Sequence, residues 1–255
     1  GTQSDHMNPV TPPLQAALAP AVEQLLANLV AAARSSFQDN LKSIILFGSG
    51  AEGRLRPTSD LNLLFLLAAF DPRQVDAFRE PLRVAQIADR AAGMFVLTAE
   101  LPAVAEAFAV KFDDIGRRRR VLFGEDLIAG LATSRVAKKM RLRQVLLNLL
   151  LRLRERYLSV SLREEQLAIV IAESAGPLRS AAATLLELEG TAVTSPRLAL
   201  EHLVQSLKNP DWIAAIAQLP LVRESRSLPA GAAARITFQL MALAEAMSQR
   251  SDQLA

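Results

Sequence analysis

The stretch at 45–64, Ile-Leu-Phe-Gly-Ser-Gly-Ala-Glu-Gly-Arg-Leu-Arg-Pro-Thr-Ser-Asp-Leu-Asn-Leu-Leu, constrains this chain more than any other part of it. Residues 43–47 are a short β-forming run that stops at Gly48, and 61–67 (Leu-Asn-Leu-Leu-Phe-Leu-Leu) are a second apolar run of strand length. Between them Gly48-Ser49 begins a turn whose backbone N–H groups suit phosphate oxygens, with the serine hydroxyl assisting. Gly53 permits the next turn, and Pro57-Thr58-Ser59 brings the chain back to the second strand. Strand side chains alternate, so Asp60 and Asn62 share a face that points over the Gly48-Ser49 turn, while Leu61 and Leu63 enter the core. Gly-Ser alone fits an ordinary strand connection in which Asp60 caps a turn. The complete ordered pattern between two apolar strands specifies a site architecture.

Composition narrows the chemistry that such a site can perform. With 51% apolar and 22% charged residues the chain is globular, and it has no cysteine, which excludes disulfides, thiolate zinc sites and thiol catalysis. A reducing, cytoplasmic setting is the simplest expectation. Residues 1–7 end in His6-Met7 and read as a vector-derived leader, leaving His202 as the one native histidine, so histidine metal sites and a Ser-His-Asp triad find little support. The longest apolar runs fall short of the ~18 residues of a membrane span, so no membrane partner is expected. Lys+Arg 29 against Asp+Glu 26 gives +3, too little to announce a nucleic-acid binder, though it leaves nucleic acid open as a partner.

Beyond the site, the chain changes texture. Leu14, Leu18, Ala21, Leu25, Leu29 and Val30 fall on one helical face, with Pro20 as the first turn of a second helix. Asp71-Pro72 opens a helix that runs to about Ala92, where Gly93 stops it. Residues 94–97 resemble a third strand, 98–107 a capped helix, and 108–115 and 121–123 short strands separated by Gly116 and four arginines. From Ser134 the pattern is helical throughout: 134–160, 162–174, 178–189, 196–207, 211–218 and 230–249, punctuated by Gly176-Pro177, Gly190, Pro196, Pro210, Pro220 and Pro229. Mixed elements followed by helices predict an α+β chain of two domains, 8–130 with a mixed sheet and flanking helices, and 131–255 an all-α bundle.

The ordered pattern resembles the nucleotidyltransferase superfamily related to DNA polymerase β, in its small bacterial form with a C-terminal helical domain. The residues that carry the resemblance are Gly48-Ser49, Ala51, Gly53, Arg54, Pro57 and Ser59-Asp60, with the segment Val121-Leu-Phe-Gly-Glu-Asp-Leu similar to the end of the family's catalytic domain. The resemblance implies a twisted mixed sheet over roughly 14–126 and transfer of a nucleotidyl group from a nucleoside triphosphate to a hydroxyl. It implies Gly48, Ser49 and Gly53 as nucleotide-binding residues.

The family's two Mg²⁺ ions, roughly 3.5–4 Å apart, are held by two acids at i and i+2 of one strand and a third on a neighbouring strand. Here the first position is Asp60, but the second is Asn62, whose neutral amide oxygen cannot bridge ions as a carboxylate does. The third position falls at Lys111, with Asp113 the alternative on the same face if 108–115 is a strand. With Lys111 the formal site charge goes from −3 to about zero, and the lysine would occupy a vacated cation position and pair with Asp60. With Asp113 a two-acid site survives, Asp60 and Asp113 holding a metal with Asn62 assisting. Whether the chain is an enzyme turns on these incomplete carboxylates. The first expectation is a nucleotidyltransferase-fold pseudoenzyme that binds a nucleotide or partner with weak or no two-metal transfer. The alternatives are an active Mg-dependent nucleotidyltransferase acting on a small-molecule or macromolecular hydroxyl, and a non-enzymatic regulatory scaffold whose Leu-rich helices form a homodimer.

Other features have two readings each. The run 117–120 suits either a triphosphate or nucleic-acid backbone, or a solvated turn. Residues 134–163 carry nine Lys/Arg and one acid, Glu155, scattered around a helix whose Val145, Leu146, Leu149, Leu150 and Leu153 form an apolar face. Arg197 and His202 have an Arg-x4-His spacing seen in helical ribonuclease domains, but lie about 140° apart on a helix. A helix capped at Ser195-Pro196 explains that segment without catalysis. Trp212 reads as a packing anchor.

Overall fold

The computed structural model describes residues 11–192 and 195–255, so the expected leader at 1–7 lies outside the described residues. These residues form two compact units: one holds the chain up to Phe108 together with Phe112–Thr133, the other Ala109–Lys111 together with Ser134–Ala255.

In the first unit the elements are α1 (Pro20–Phe37), β1 (Leu41–Phe47), a 3₁₀ turn at Gly48–Gly50, β2 (Leu61–Leu67), α2 (Pro72–Asp89), β3 (Ala91–Leu97), α3 (Leu101–Ala107), the part of α4 (Ala109–Arg117) from Phe112 onward, and β4 (Arg119–Gly124). The sheet order is β3-β2-β1-β4. β1 runs antiparallel to both β2 and β4, and β2 runs parallel to β3 through the α2 crossover. Both faces of the sheet are covered, which is why 61–67 is apolar almost throughout. On one face Ile44, Leu46, Leu63 and Phe65 pack with Leu26, Leu29, Ala33 and Phe37 of α1 and Phe78 of α2. On the other, Ile45, Phe47, Leu64, Leu66 and Val96 pack with Leu101, Ala105, Phe112, Ile115 and Ile128. Phe65 stacks on Phe95 at 4.8 Å between centroids and meets Phe78 edge-on at 5.4 Å.

Local chemistry sets the boundaries. Asp71 caps α2, its Oδ1 accepting from the amides of Arg73 and Gln74, with Pro72 in the first turn. The helix ends at Asp89, not at Gly93: Arg90 takes the left-handed conformation at φ 54° and β3 starts one residue later. The helical face expected from Leu14 begins only at Pro20. The amide of Leu14 donates to the carbonyl of Arg119 on β4, and that of Leu18 to Glu23 Oε1, so neither is left for a helix.

The expected strand over 108–115 is corrected outright, because Ala109–Arg117 is helical. The apolar residues Phe112 and Ile115 are three apart and enter one core. Asp113 and Asp114 each sit four residues before an arginine, at i,i+4 helix spacing.

The second unit contains α5 (Arg135–Val160), α6 (Glu164–Leu188), α7 (Pro196–Leu207), α8 (Pro210–Ser225) and α9 (Ala232–Asp252). Ser134, Ser195 and Asn209 cap α5, α7 and α8 through side-chain oxygens. Gly176-Pro177 does not divide α6, and Pro220 does not end α8. α6 is buried on most sides, from Leu167 and Ile171 through Leu178 to Leu185, and this packing outweighs the backbone bond that a proline removes. Several basic residues of α5 are engaged within the same unit: Arg154 pairs with Glu245 at 3.1 Å, Arg152 with Glu173, and Lys139 donates to the carbonyl of Leu254 at 3.0 Å. Trp212 packs against the bundle core, and Arg197 pairs with Glu201 rather than with exposed His202. Among the described residues no helix is long and apolar enough to cross a membrane.

Leu64 lies fully buried in central strand β2. Leu64→Ala is expected to lower the stability by about 2–5 kcal/mol, read as a shift of the urea midpoint at unchanged slope.

Candidate functional site

The C-terminal end of β1 and the N-terminal ends of β2, β3 and β4 meet along one edge of the first unit, and the expected site lies there. β1 ends at Phe47, Gly48 turns at φ 80°, and the next residues wind into the 3₁₀ turn. A Cβ on Gly48 would stand 3.4 Å from Asn62 Nδ2, so the structure brings the Gly-Ser turn and the Asn62 amide together. The amide of Gly48 donates to the carbonyl of Arg118 at 2.9 Å, which fixes the turn against the start of β4. Ser49 is partly exposed at the turn. Gly53 serves a different purpose from ligand contact: at φ 77° its missing Cβ leaves room for Ala16 and the carbonyl of Ala17, each 3.1 Å from where that atom would be. Ser59 closes the returning loop, its Oγ accepting from the amide of Arg56 at 3.2 Å.

Asp60 is exposed, and its Oδ1 accepts from Arg90 Nε at 3.0 Å. Arg90 was not anticipated from the sequence. Its position follows from the parallel register, since Leu61 lies opposite Ala91, and the amide of Leu61 donates to the carbonyl of Arg90 at 3.2 Å. No local sequence signal marks it, because only the pairing of β2 with β3 brings Arg90 beside Asp60.

The third-acid expectation loses its geometric basis. Lys111 and Asp113 lie on α4, where residues two apart are about 200° around the axis and share no face. Asp113 Oδ2 is engaged by Arg117 Nη2 at 3.5 Å, and Asp60 is paired with Arg90 at 3.0 Å. Across the sheet, the row that contains Asn62 reads Ala92, Asn62, Phe47, Arg119, with no acid in it. A divalent metal needs several hard oxygen donors, preferably charged. Among the described residues no group of three or more His, Cys, Asp or Glu side chains is placed to hold one, so these residues do not fit the paired Mg²⁺ ions of the resembled family.

The arginine run 117–120 is neither an open anion site nor a solvated turn. Arg117 faces Asp113 and Asp114, and Arg118 spans Asp114 at 2.7 Å and Glu52 at 3.0 Å. Arg119, 1% exposed, forks onto Asp126 at 2.7 and 2.9 Å and donates to the carbonyls of Thr11 and Gly116. Arg120 forks onto Glu23 of α1 at 2.6 and 2.8 Å. A shallow cleft of about 470 Å³ lined by Leu14, Gln15, Glu23 and Arg120 adjoins that last pair.

No family profile and no curated protein matches the sequence. Among solved structures, the chain is similar to spectinomycin adenyltransferase AAD(9) from Enterococcus faecialis, determined with ATP and spectinomycin. The identity is 11%, the TM-score 0.63, and the match covers 91% of this chain and 99% of that one. The likeness establishes the fold, a polymerase-β-like nucleotidyltransferase mixed sheet with flanking helices and a helical C-terminal region.

The hydrogen bonds from Arg120 and the amide of Leu18 hold the Glu23 carboxyl down at about 2, from an ordinary value of 4.5. A carboxyl depressed on folding stabilises the native state above its unfolded value and loses that contribution as pH falls toward the folded one. The urea midpoint is therefore expected to drop between pH 4.5 and 2, and Glu23→Gln to flatten this fall while lowering the midpoint at pH 7.

Proposed function

We propose that the chain binds a nucleoside triphosphate at the Gly48-Ser49 turn and the Asp60-Asn62 edge, and transfers its nucleotidyl group weakly or not at all. The observation that carries this reading is the acid-free row through Asn62 beside an Asp60 already paired with Arg90. In-line attack on an α-phosphate builds charge on the attacking and leaving oxygens, and two bridged cations normally absorb it. One paired carboxylate and one amide leave that charge without its usual counterweight. Binding makes smaller demands: a turn of glycine and serine, a nearby amide donor and a guanidinium suffice to hold phosphate oxygens. The adenyltransferase of like fold was determined with ATP, which supports a nucleotide as ligand here. Gly53 supports the site by shaping the loop.

A scaffold role is favoured by one separate observation. On α5, Val136, Met140, Leu147, Leu151 and Leu158 are exposed and fall within about 60° of one helical face, opposite the buried Leu142, Leu146 and Leu153. A second copy of this chain is the occupant this reading assigns, and light scattering should then give twice the monomer mass.

The transferase question is decided by incubating the protein with labelled ATP, Mg²⁺ and a panel of hydroxyl acceptors. The expected outcome is ATP binding by calorimetry without pyrophosphate release above background. Pyrophosphate release that vanishes in Asp60→Ala would overturn the proposal.

A further inference from the structure

We infer that Arg90 fills the role of a site cation, so that the nucleotide is taken up as a metal-free polyphosphate. This rests on the nucleotide-binding reading above and adds which ionic form is bound and which residue reads it. Arg90 stands at the end of α2 in the left-handed conformation, φ 54°, with its own amide closing the helix onto the carbonyl of Gln86. Its carbonyl is tied to the amide of Leu61, so the residue is fixed at the backbone directly beside Asp60. From there Nε donates to Asp60 Oδ1 at 3.0 Å. A guanidinium has five N–H donors in a rigid fork, and only the Nε donor is used here. Among the described residues, Nη1 and Nη2 have no protein partner, and the side chain is about half exposed at 53%.

The arrangement suits an anion better than a second cation. A metal approaching Asp60 meets the positive charge of Arg90 and, from its neighbour two residues along the strand, only the neutral Asn62 amide. A phosphate meets instead the unused edge of the guanidinium, oriented by the carboxylate behind it. Asp60 immediately precedes β2 and Asn62 is its second residue, a step of roughly 7 Å in extended chain, and Asn62 itself approaches the Gly48 turn, so one polyphosphate chain can span all three. Asp60 is then a positioning residue for Arg90, not a metal ligand.

The two roles of Asp60 predict opposite signs, and calorimetric titration of ATP distinguishes them. Wild-type protein should bind ATP in excess EDTA at least as tightly as in excess Mg²⁺. Arg90→Gln should weaken metal-free binding about tenfold. Asp60→Asn, which keeps an oxygen to accept from Arg90 Nε and removes a negative charge that repels the phosphates from behind the guanidinium, should tighten metal-free binding several-fold. Binding that falls more than tenfold on chelation, or that Arg90→Gln leaves unaltered, overturns this inference while keeping the nucleotide-binding proposal. Weaker binding in Asp60→Asn overturns it likewise. No binding of ATP with or without Mg²⁺ would remove the nucleotide-binding proposal itself and this inference with it. Both side chains are half exposed, so the variants keep the fold and the titrations report the site.

Discussion

Four consecutive arginines hold the first unit in register, and the candidate site is built against them. The chain passes from helix α4 to strand β4 at 117–120, so successive side chains leave in different directions, Arg117 and Arg118 sharing Asp114 while Arg119 and Arg120 meet separate acids. Arg117 and Arg118 turn back onto the helix, and Arg118 also reaches Glu52 in the loop that follows the Gly-Ser turn. Arg119 and Arg120 are successive strand residues on opposite faces of the sheet. One binds Asp126, the other Glu23 of α1. The carbonyl of Arg118 accepts from Gly48, and that of Arg119 from Leu14, so the same four residues fix the glycine turn and the N-terminal segment through the backbone. Arg119 is the most demanding member. A charge with 1% exposure must be fully satisfied, and Asp126 with two carbonyls does so. Removing Asp126 alone would strand that charge at a cost of about 3–5 kcal/mol.

This arrangement explains which parts of the molecule were legible in the sequence. Strand β2 was read at its observed limits because a run buried on both faces admits almost no polar residue. The Asp71-Pro72 start of α2 and the Ser195-Pro196 start of α7 were legible because a cap is a local interaction of a few neighbouring residues. The approach of Asn62 to the Gly-Ser turn is legible from strand alternation. What failed was the segment 108–115. Lys111 and Asp113 alternate with Val110 and Phe112 as strand residues do, and the competing signal is electrostatic: Asp113 and Asp114 each precede an arginine by four residues. The prolines inside α6 and α8 misled for a related reason. Their local cost is real, but helices buried along their length gain more from packing than one missing backbone bond removes.

Arg90 illustrates a harder limit. Asp60 and Arg90 are thirty residues apart in sequence, and only the parallel pairing of β2 with β3 makes them neighbours. No local pattern carries that information. The sequence left the acid at 60 seeking a partner, and a strand register that periodicity cannot fix supplied it.

The charges at this sheet edge are separable from the fold beneath them. Leu61, Leu63, Leu64 and Leu66 lie within a few residues of Asp60 and are almost fully buried, whereas Asp60 and Arg90 are about half exposed. Exchanging an acid for an amide at position 62 therefore costs the core little, because neither side chain belongs to it. The consequences for binding are larger. A pocket of three carboxylates repels a polyphosphate until divalent cations lie between them. Once two of the carboxylates are absent and the third faces a guanidinium, that repulsion is gone, and with it the reason for metals to mediate the contact. On the proposed reading, the amide at position 62 and the guanidinium on Asp60 weaken the case for two-metal transfer and favour metal-free recognition of a nucleotide through the same charges.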